Sequence, residues 1–398
     1  MASLDDFPFL PLFITAITII IIALVTLLTT RHNRSSASAK KLPPGPWKLP
    51  VIGNLHHLIV GEALPHRRLR ELAEKHGRHV MHLQLGELSN IVISSPEAAR
   101  QVLKLHDHAF SSRPYLLAGD ILFYGTKGIG FTPTGDHWRH MRKICVAELL
   151  SPKRVLSFRP IRESEASKLV GLVRSRSAAG GGIDVTRLLA SASSSFTFRT
   201  AFGMVKEIFL MKNPKVMQQV QEEVRQKFRD KDNAISEDGL QELKYLDAVI
   251  KESLRLHPPL PLLLPREGIV RAEIDGYDIP ARTRVIINAW AIGRNSRHWK
   301  TPDKFYPERF LDDFSTDYKG LDLKFIPFGY GRRSCPGLTF GMAVVKLMLA
   351  NLLYHFDWKL PAKMNHEDLD MNERFGASVR RKHNLCLIPT TYDPLMHN

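Results

Sequence analysis

A chain of 398 residues that is 44% hydrophobic and 24% charged has a globular composition, which excludes wholesale disorder and a polytopic membrane protein. Its formal net charge of +16 suits nucleic acid, an anionic membrane face or an acidic partner. No zinc-finger pattern, RNA-binding aromatic motif or long basic run accompanies that charge, which argues against nucleic acid. Cys145, Cys335 and Cys386 are far apart and odd in number, which excludes a disulfide framework and favours a reducing compartment.

From Phe7 to Thr30 no residue is charged, and Leu12 to Leu28 is almost wholly apolar, close to the roughly 20 residues a helix needs to span hydrocarbon. Residues 1–30 are therefore expected to form one membrane anchor. Asp5 and Asp6 precede it, while Arg31, Arg34, Lys40 and Lys41 follow, which places the rest of the chain in the cytosol. A cleaved signal peptide would carry its basic residues before the apolar run, and here they come after it. Residues 31–50 form a tether, in which Pro43, Pro44 and Pro46 hold the chain extended and withhold backbone donors.

The body, 51–398, opens with two strand-like runs, Val80 to Leu85 and Ile91 to Ser94, separated by a loop of residues 86–90. A helix follows, with Ser95 as its cap and Pro96 in its first turn. Helical periodicity then dominates, notably from Asn213 to Phe228, Leu243 to Leu256 and Leu338 to Phe356. A strand region near residues 272–290 contains an Asp275-Gly276 turn. The expected class is mainly α with a small β-sheet.

Chemistry concentrates between Pro327 and Gly337, in Pro-Phe-Gly-Tyr-Gly-Arg-Arg-Ser-Cys-Pro-Gly, just before the apolar helix at Leu338. Glycines let the backbone approach a flat cofactor. Arg332, Arg333 and a helix N-terminus are expected to favour thiolate over thiol at Cys335. A dinucleotide loop would need a third glycine and an acidic partner, which this segment lacks.

Phe328, Gly331, Arg333, Cys335 and Gly337 meet the haem-loop pattern Phe-x-x-Gly-x-Arg-x-Cys-x-Gly, so the chain resembles the cytochrome P450 family. The resemblance implies the P450 fold, haem b with its iron as cofactor, and Cys335 as the metal ligand. It further implies that Phe328 packs on the haem, and that Arg333, Trp138, Arg142 and Arg266 bind its propionates. Glu252 and Arg255, three apart on a helix, match the family's Glu-x-x-Arg. Arg309 in Phe-Tyr-Pro-Glu-Arg-Phe matches the arginine that completes a buried structural triad.

The tether, the Arg-Thr-Ala-Phe-Gly segment ending at Gly203, and Glu373-Arg374-Phe375-Gly376 ahead of Arg380-Arg381-Lys382 resemble the plant microsomal branch. That branch implies a single-pass endoplasmic reticulum protein, electrons from NADPH through a flavoprotein reductase, and insertion of one oxygen atom from O2 into an apolar specialised metabolite. Substrate is expected to face Leu116 to Gly130, Pro261 to Leu264 and Phe375 to Ser378.

Relative to the family, only a handful of residues join Gly203 to Leu210. An internal deletion is expected near 204–210. It removes the distal helix whose small-Gly-x-acid-Thr groove handles oxygen and protons, so no catalytic acid/Thr pair is identified. Ala118-Gly119-Asp120 lacks a following Thr and lies too early in the chain to replace it. The alternative to a monooxygenase is therefore a non-catalytic, membrane-tethered haem-binding or partner-binding fragment.

Overall fold

The computed structural model describes residues 15–16, 18–20, 22, 41–59, 63–123, 125–192, 206–229, 235–313, 316–318, 322–362, 364–376 and 378–393. The expected anchor and the Gly203 end of the expected junction lie largely outside the described residues.

The long helix Leu338–His355 is apolar on nearly every face, and 13 of its 18 residues are buried. A helix apolar all round belongs inside a core. It meets the length and hydropathy for crossing a membrane, the only helix among the described residues to do so, yet it is mostly enclosed by protein. Helices Arg159–Ala178, Pro214–Lys227 and Lys244–Leu256 contribute to the same apolar cluster. Fully buried Leu169, Val220, Val224, Val249 and Leu347 lie in it.

Beside this helical body stands a four-stranded sheet ordered Val80–Leu85, Leu88–Ile93, Arg284–Ile287 and Arg266–Glu267. The first pair is antiparallel, with Leu85 opposite Leu88. Leu88–Ile93 then runs parallel to Arg284–Ile287, pairing Ile91 with Val285. The hairpin turn is Gly86-Glu87 and not a five-residue loop. Gly86 takes φ 59°, which suits a tight turn, and Ser89 and Asn90 join the ladder opposite Gln84 and Leu83. Ser and Asn are turn-forming residue types, but cross-strand pairing and the His82–Ser89 hydrogen bond of 3.0 Å hold Ser89 and Asn90 extended here.

Ser95 accepts from the Ala98 amide at 3.2 Å and caps the helix Pro96–Arg100. The Asp275-Gly276 turn joins Ala272–Ile274 to Tyr277–Ile279, both turn residues having positive φ.

Candidate functional site

Four segments distant in sequence converge on one cavity of about 230 Å³. The loop before Leu338–His355 supplies Pro327, Phe328, Gly329, Arg333, Ser334, Cys335 and Pro336. Gly329 and Gly331 have φ of +69° and +72°, and a Cβ on Gly331 would sit 2.7 Å from Asp107 Oδ1. Glycine is therefore required at 331 both for backbone conformation and for space. Asp107 in turn accepts from the Arg332 amide at 2.9 Å and from Arg266 Nη1 at 3.0 Å, while Arg266 Nη2 donates to the Tyr330 carbonyl at 2.7 Å. These bonds fix the loop against the sheet.

Helix Asp136–Ile144 presents Trp138 and Arg142 to the cavity. Arg142 Nη1 donates to the Ser334 carbonyl at 2.8 Å, tying that helix to the cysteine loop. The Arg333 guanidinium stacks 4.0 Å from the Trp138 ring centroid and donates to the Ser111 and Thr132 carbonyls at 2.6 and 2.8 Å. Its Nη1 and the Trp138 indole Nε1 are buried without a hydrogen-bond partner among the described residues. Two such donors beside one cavity are costly unless a ligand accepts from them.

Trp138, Arg142, Arg266, Phe328, Arg333 and Cys335, all singled out from sequence, line this cavity; Gly331 and Gly337 shape its loop from outside the lining. Arg113 was missed. It is 6% exposed and donates to the carbonyls of Gly130, Leu264 and Pro265 at 3.0, 2.7 and 2.7 Å. Its signal in sequence was only an arginine within Ser-Ser-Arg-Pro, and its burial depends on two distant loops. Burial and the nearby Arg266 and Arg333 lower its pKa well below the ordinary arginine value. Burial likewise brings Arg333 down to about 10, with Arg266 and Arg142 adding to it. Among the described residues Asp107 is the only carboxylate bonded to this arginine group, which leaves an excess of positive charge at the cavity.

The sulfur corrects an expectation. Burial pushes the Cys335 thiol up, and Cys145 adds to this; the Gly337 amide and Arg142 act in the opposite direction. Arg332 and Arg333 are not among the groups that hold it down: Arg332 faces Asp107 at 3.7 Å, and Arg333 directs Nε and Nη2 to the Ser111 and Thr132 carbonyls. Coordination to a metal would favour the thiolate over the thiol there. Among the described residues no group of three His, Cys, Asp or Glu could hold a metal ion, so a metal at Cys335 would have to arrive with other ligands of its own.

The apolar wall consists of Ile129, Leu254, Pro259, Leu260, Leu263 and Leu264. Of the expected substrate segments, Leu116 to Gly130 contributes Ile129 and Gly130, and Pro261 to Leu264 contributes its last two residues. Phe375 does not contribute; it is 57% exposed. No Asp, Glu or Thr lines the cavity among the described residues.

Behind it, Glu252 and Arg255 on Lys244–Leu256 are completely enclosed and joined by bonds of 2.7 and 2.8 Å. Arg309 Nε and the Tyr306 amide donate to the same carboxylate at 3.1 and 2.8 Å. Arg255 also donates to the Gly293 and Pro302 carbonyls. The three residues therefore meet, in a place where nearly every donor and acceptor is used.

A family model described as Cytochrome P450 matches residues 43–207 and 208–387. Desmethyl-deoxy-podophyllotoxin synthase of Sinopodophyllum hexandrum is 41% identical over 477 aligned positions, covering 89% of this chain and 93% of the relative. Premnaspirodiene oxygenase of Hyoscyamus muticus is 37% identical, covering 96% and 99%. Among solved structures, a zebrafish cytochrome P450 with abiraterone shares the fold at a TM-score of 0.70 and 20% identity, covering 83% of this chain and 99% of that one.

Proposed function

Because this chain belongs to the cytochrome P450 monooxygenase family, we propose that its cavity seats haem b, with Cys335 as iron ligand and Trp138, Arg113, Arg142, Arg266 and Arg333 around the propionates. The observation that carries this reading is the pair of buried unpartnered donors, Trp138 Nε1 and Arg333 Nη1, in an arginine-rich cavity that Cys335 also lines. A flat apolar molecule with two carboxylates fits that chemistry: the carboxylates offset the charge and accept the idle donors. When bound, such a haem supplies oxygen activation, which thiolate ligation favours.

The chain's own residues bind and orient. Phe328 and the leucines of the wall exclude water, the arginines fix the direction of an anionic edge, and Arg142 with the Gly337 amide favours negative charge at the sulfur. The activity proposed is insertion of one oxygen atom from O2 into an apolar plant specialised metabolite. Electrons come from NADPH through a flavoprotein reductase, whose acidic surface the +16 charge would attract. Two relatives are named for oxidation of premnaspirodiene and of 5-epiaristolochene, which supports this class of substrate. Residues 1–30 are proposed to anchor the protein in the endoplasmic reticulum membrane, with 31–50 as tether and 51–398 as a cytosolic haem domain.

A second reading, a haem-binding but non-catalytic fragment, is favoured by the cavity lining, which has no acid or Thr to deliver protons. An internal deletion near 204–210 would account for this. In its support, the alignment with the first relative runs over 477 positions, more than the chain's 398 residues, and the family match divides between residues 207 and 208.

Expression of the chain, dithionite reduction and carbon monoxide difference spectroscopy test both readings. A red-shifted Soret band, lost in Cys335→Ala, is expected; absence of any haem signal would refute both. Turnover of an apolar substrate with purified reductase would then sink the fragment reading, and haem without turnover would sink the monooxygenase reading.

A further inference from the structure

A second cavity, of about 220 Å³, shares no lining residue with the first. It lies between the helix Pro65–His76, the residue that follows the strand Leu88–Ile93, and the turn after Ala289–Ile292. Arg70, Arg78, Arg294 and Arg297 line it, with His79 and Ser94.

Two polar groups there are buried and idle. Arg294 is 6% exposed, and its Nη1 has no hydrogen-bond partner among the described residues; Ser94 is 8% exposed, and its hydroxyl has none either. The Arg294 guanidinium stacks 4.1 Å from the Trp290 ring centroid and gives Nε to Asp303 at 3.1 Å. At the rim, Arg70 pairs with Glu74 at 2.8 Å. Arg78 and Arg297 are exposed and make no ion pair among the described residues. Glu74 and Asp303 pair with two of the four lining arginines, Glu97 stands 3.8 Å from His79 and Glu373 also attracts Arg294, which leaves Arg78 and Arg297 without a carboxylate partner among the described residues. Burial, with Arg255 nearby, lowers Arg294 to about 9, so its charge is held at a cost that an anion would relieve.

We propose that this cavity is a binding site for a phosphate group, free or carried on a monoester, in which Arg294 Nη1 and Ser94 Oγ donate at its floor while Arg78 and Arg297 neutralise charge at its mouth. A carboxylate has two acceptor oxygens in one plane. Phosphate offers three or more in a tetrahedron, which suits donors that approach from the bend after a helix, a strand end and a turn. Inorganic phosphate and a lipid phosphomonoester headgroup share this chemistry.

Thermal unfolding of the full chain tests it, with inorganic phosphate or monomeric dihexanoyl phosphatidic acid added against sodium chloride at matched ionic strength. A saturable rise in Tm with phosphate is expected, its apparent affinity falling about tenfold or more in R78Q/R297Q. That double variant changes only exposed side chains, so it is expected to fold. Binding of phosphatidic acid roughly tenfold tighter than phosphate would identify a lipid headgroup as the source; equal or weaker binding would identify the free ion. The same response in wild type and R78Q/R297Q, or no response to either probe, would overturn the site.

Discussion

At Glu252 a single carboxylate accepts from Arg255, Arg309 and the Tyr306 amide with no access to water. Removing its charge leaves Arg255 buried without a counter-ion, which typically costs about 3–5 kcal/mol. Glu252→Gln should therefore shift the denaturant midpoint strongly downward, whereas a change under about 1 kcal/mol would place the triad among ordinary surface pairs. Arg333 tests the cavity differently. Arg333→Leu removes an idle donor and a stacked cation, so haem content measured as pyridine haemochrome should fall several-fold. Arg113→Leu should act in the same direction, although it also frees three carbonyls. Haem content unchanged in both variants would remove the arginines from the proposed cradle.

Among the elements, the cysteine loop is held by conformation as much as by contacts. Gly331→Ala would place a Cβ 2.7 Å from Asp107 Oδ1 at φ +72°. Strain of this kind costs about 1–3 kcal/mol and would displace the carboxylate that pins Arg266. Lower thermal stability together with weaker haem retention is the expected result, and wild-type values in both measurements would show that the loop yields. Gly86, by contrast, has open space where its Cβ would be. There only the positive φ matters, and Gly86→Asn should be tolerated because Asn accepts that region.

For the whole molecule, acid sensitivity follows from histidines packed neutral. Burial lowers both His82 and His355 to about 4, with Lys48 and Arg174 adding to the effect respectively. The unfolded chain takes up protons near pH 6.5, above the folded values. The stability these groups contribute is thus present above about pH 6.5 and is lost as pH falls toward 4, by up to about 1.4 kcal/mol per unit for each histidine. Glu373, held far below the usual carboxylate range by His257 and His66 despite its burial, extends the loss below about pH 4.5. Unfolding midpoints should be flat from pH 7 to 8 and decline below 6.5. A His355→Asn variant with an equally steep decline would exclude that residue from the effect. Exposed Ile144, Val146, Leu149, Leu156 and Ile161 occupy one stretch of helices beyond the cavity, so a tendency to associate is expected at this scale.

Cys335, Arg333 and Gly331 were legible because a loop that must admit a flat cofactor needs fixed residue types at fixed short spacings, and such spacings survive in one dimension. The Glu252–Arg255 pair was legible for a similar reason, since three residues on a helix bring side chains to one face. The long core helix could be read from its largely apolar run, broken by Lys346 and Asn351, and the cap at Ser95 from its short-range hydrogen bond. Arg113 was not legible, nor was the pairing of idle donors in the second cavity, because each depends on chain segments more than a hundred residues apart meeting in space. The direction of the Cys335 shift was hidden for the same reason: neighbouring arginines in sequence turned their guanidiniums toward Asp107, Ser111 and Thr132. Local spacing determines which chemistry a loop can carry, while charge balance, burial and the partner of each donor are decided only when distant segments pack.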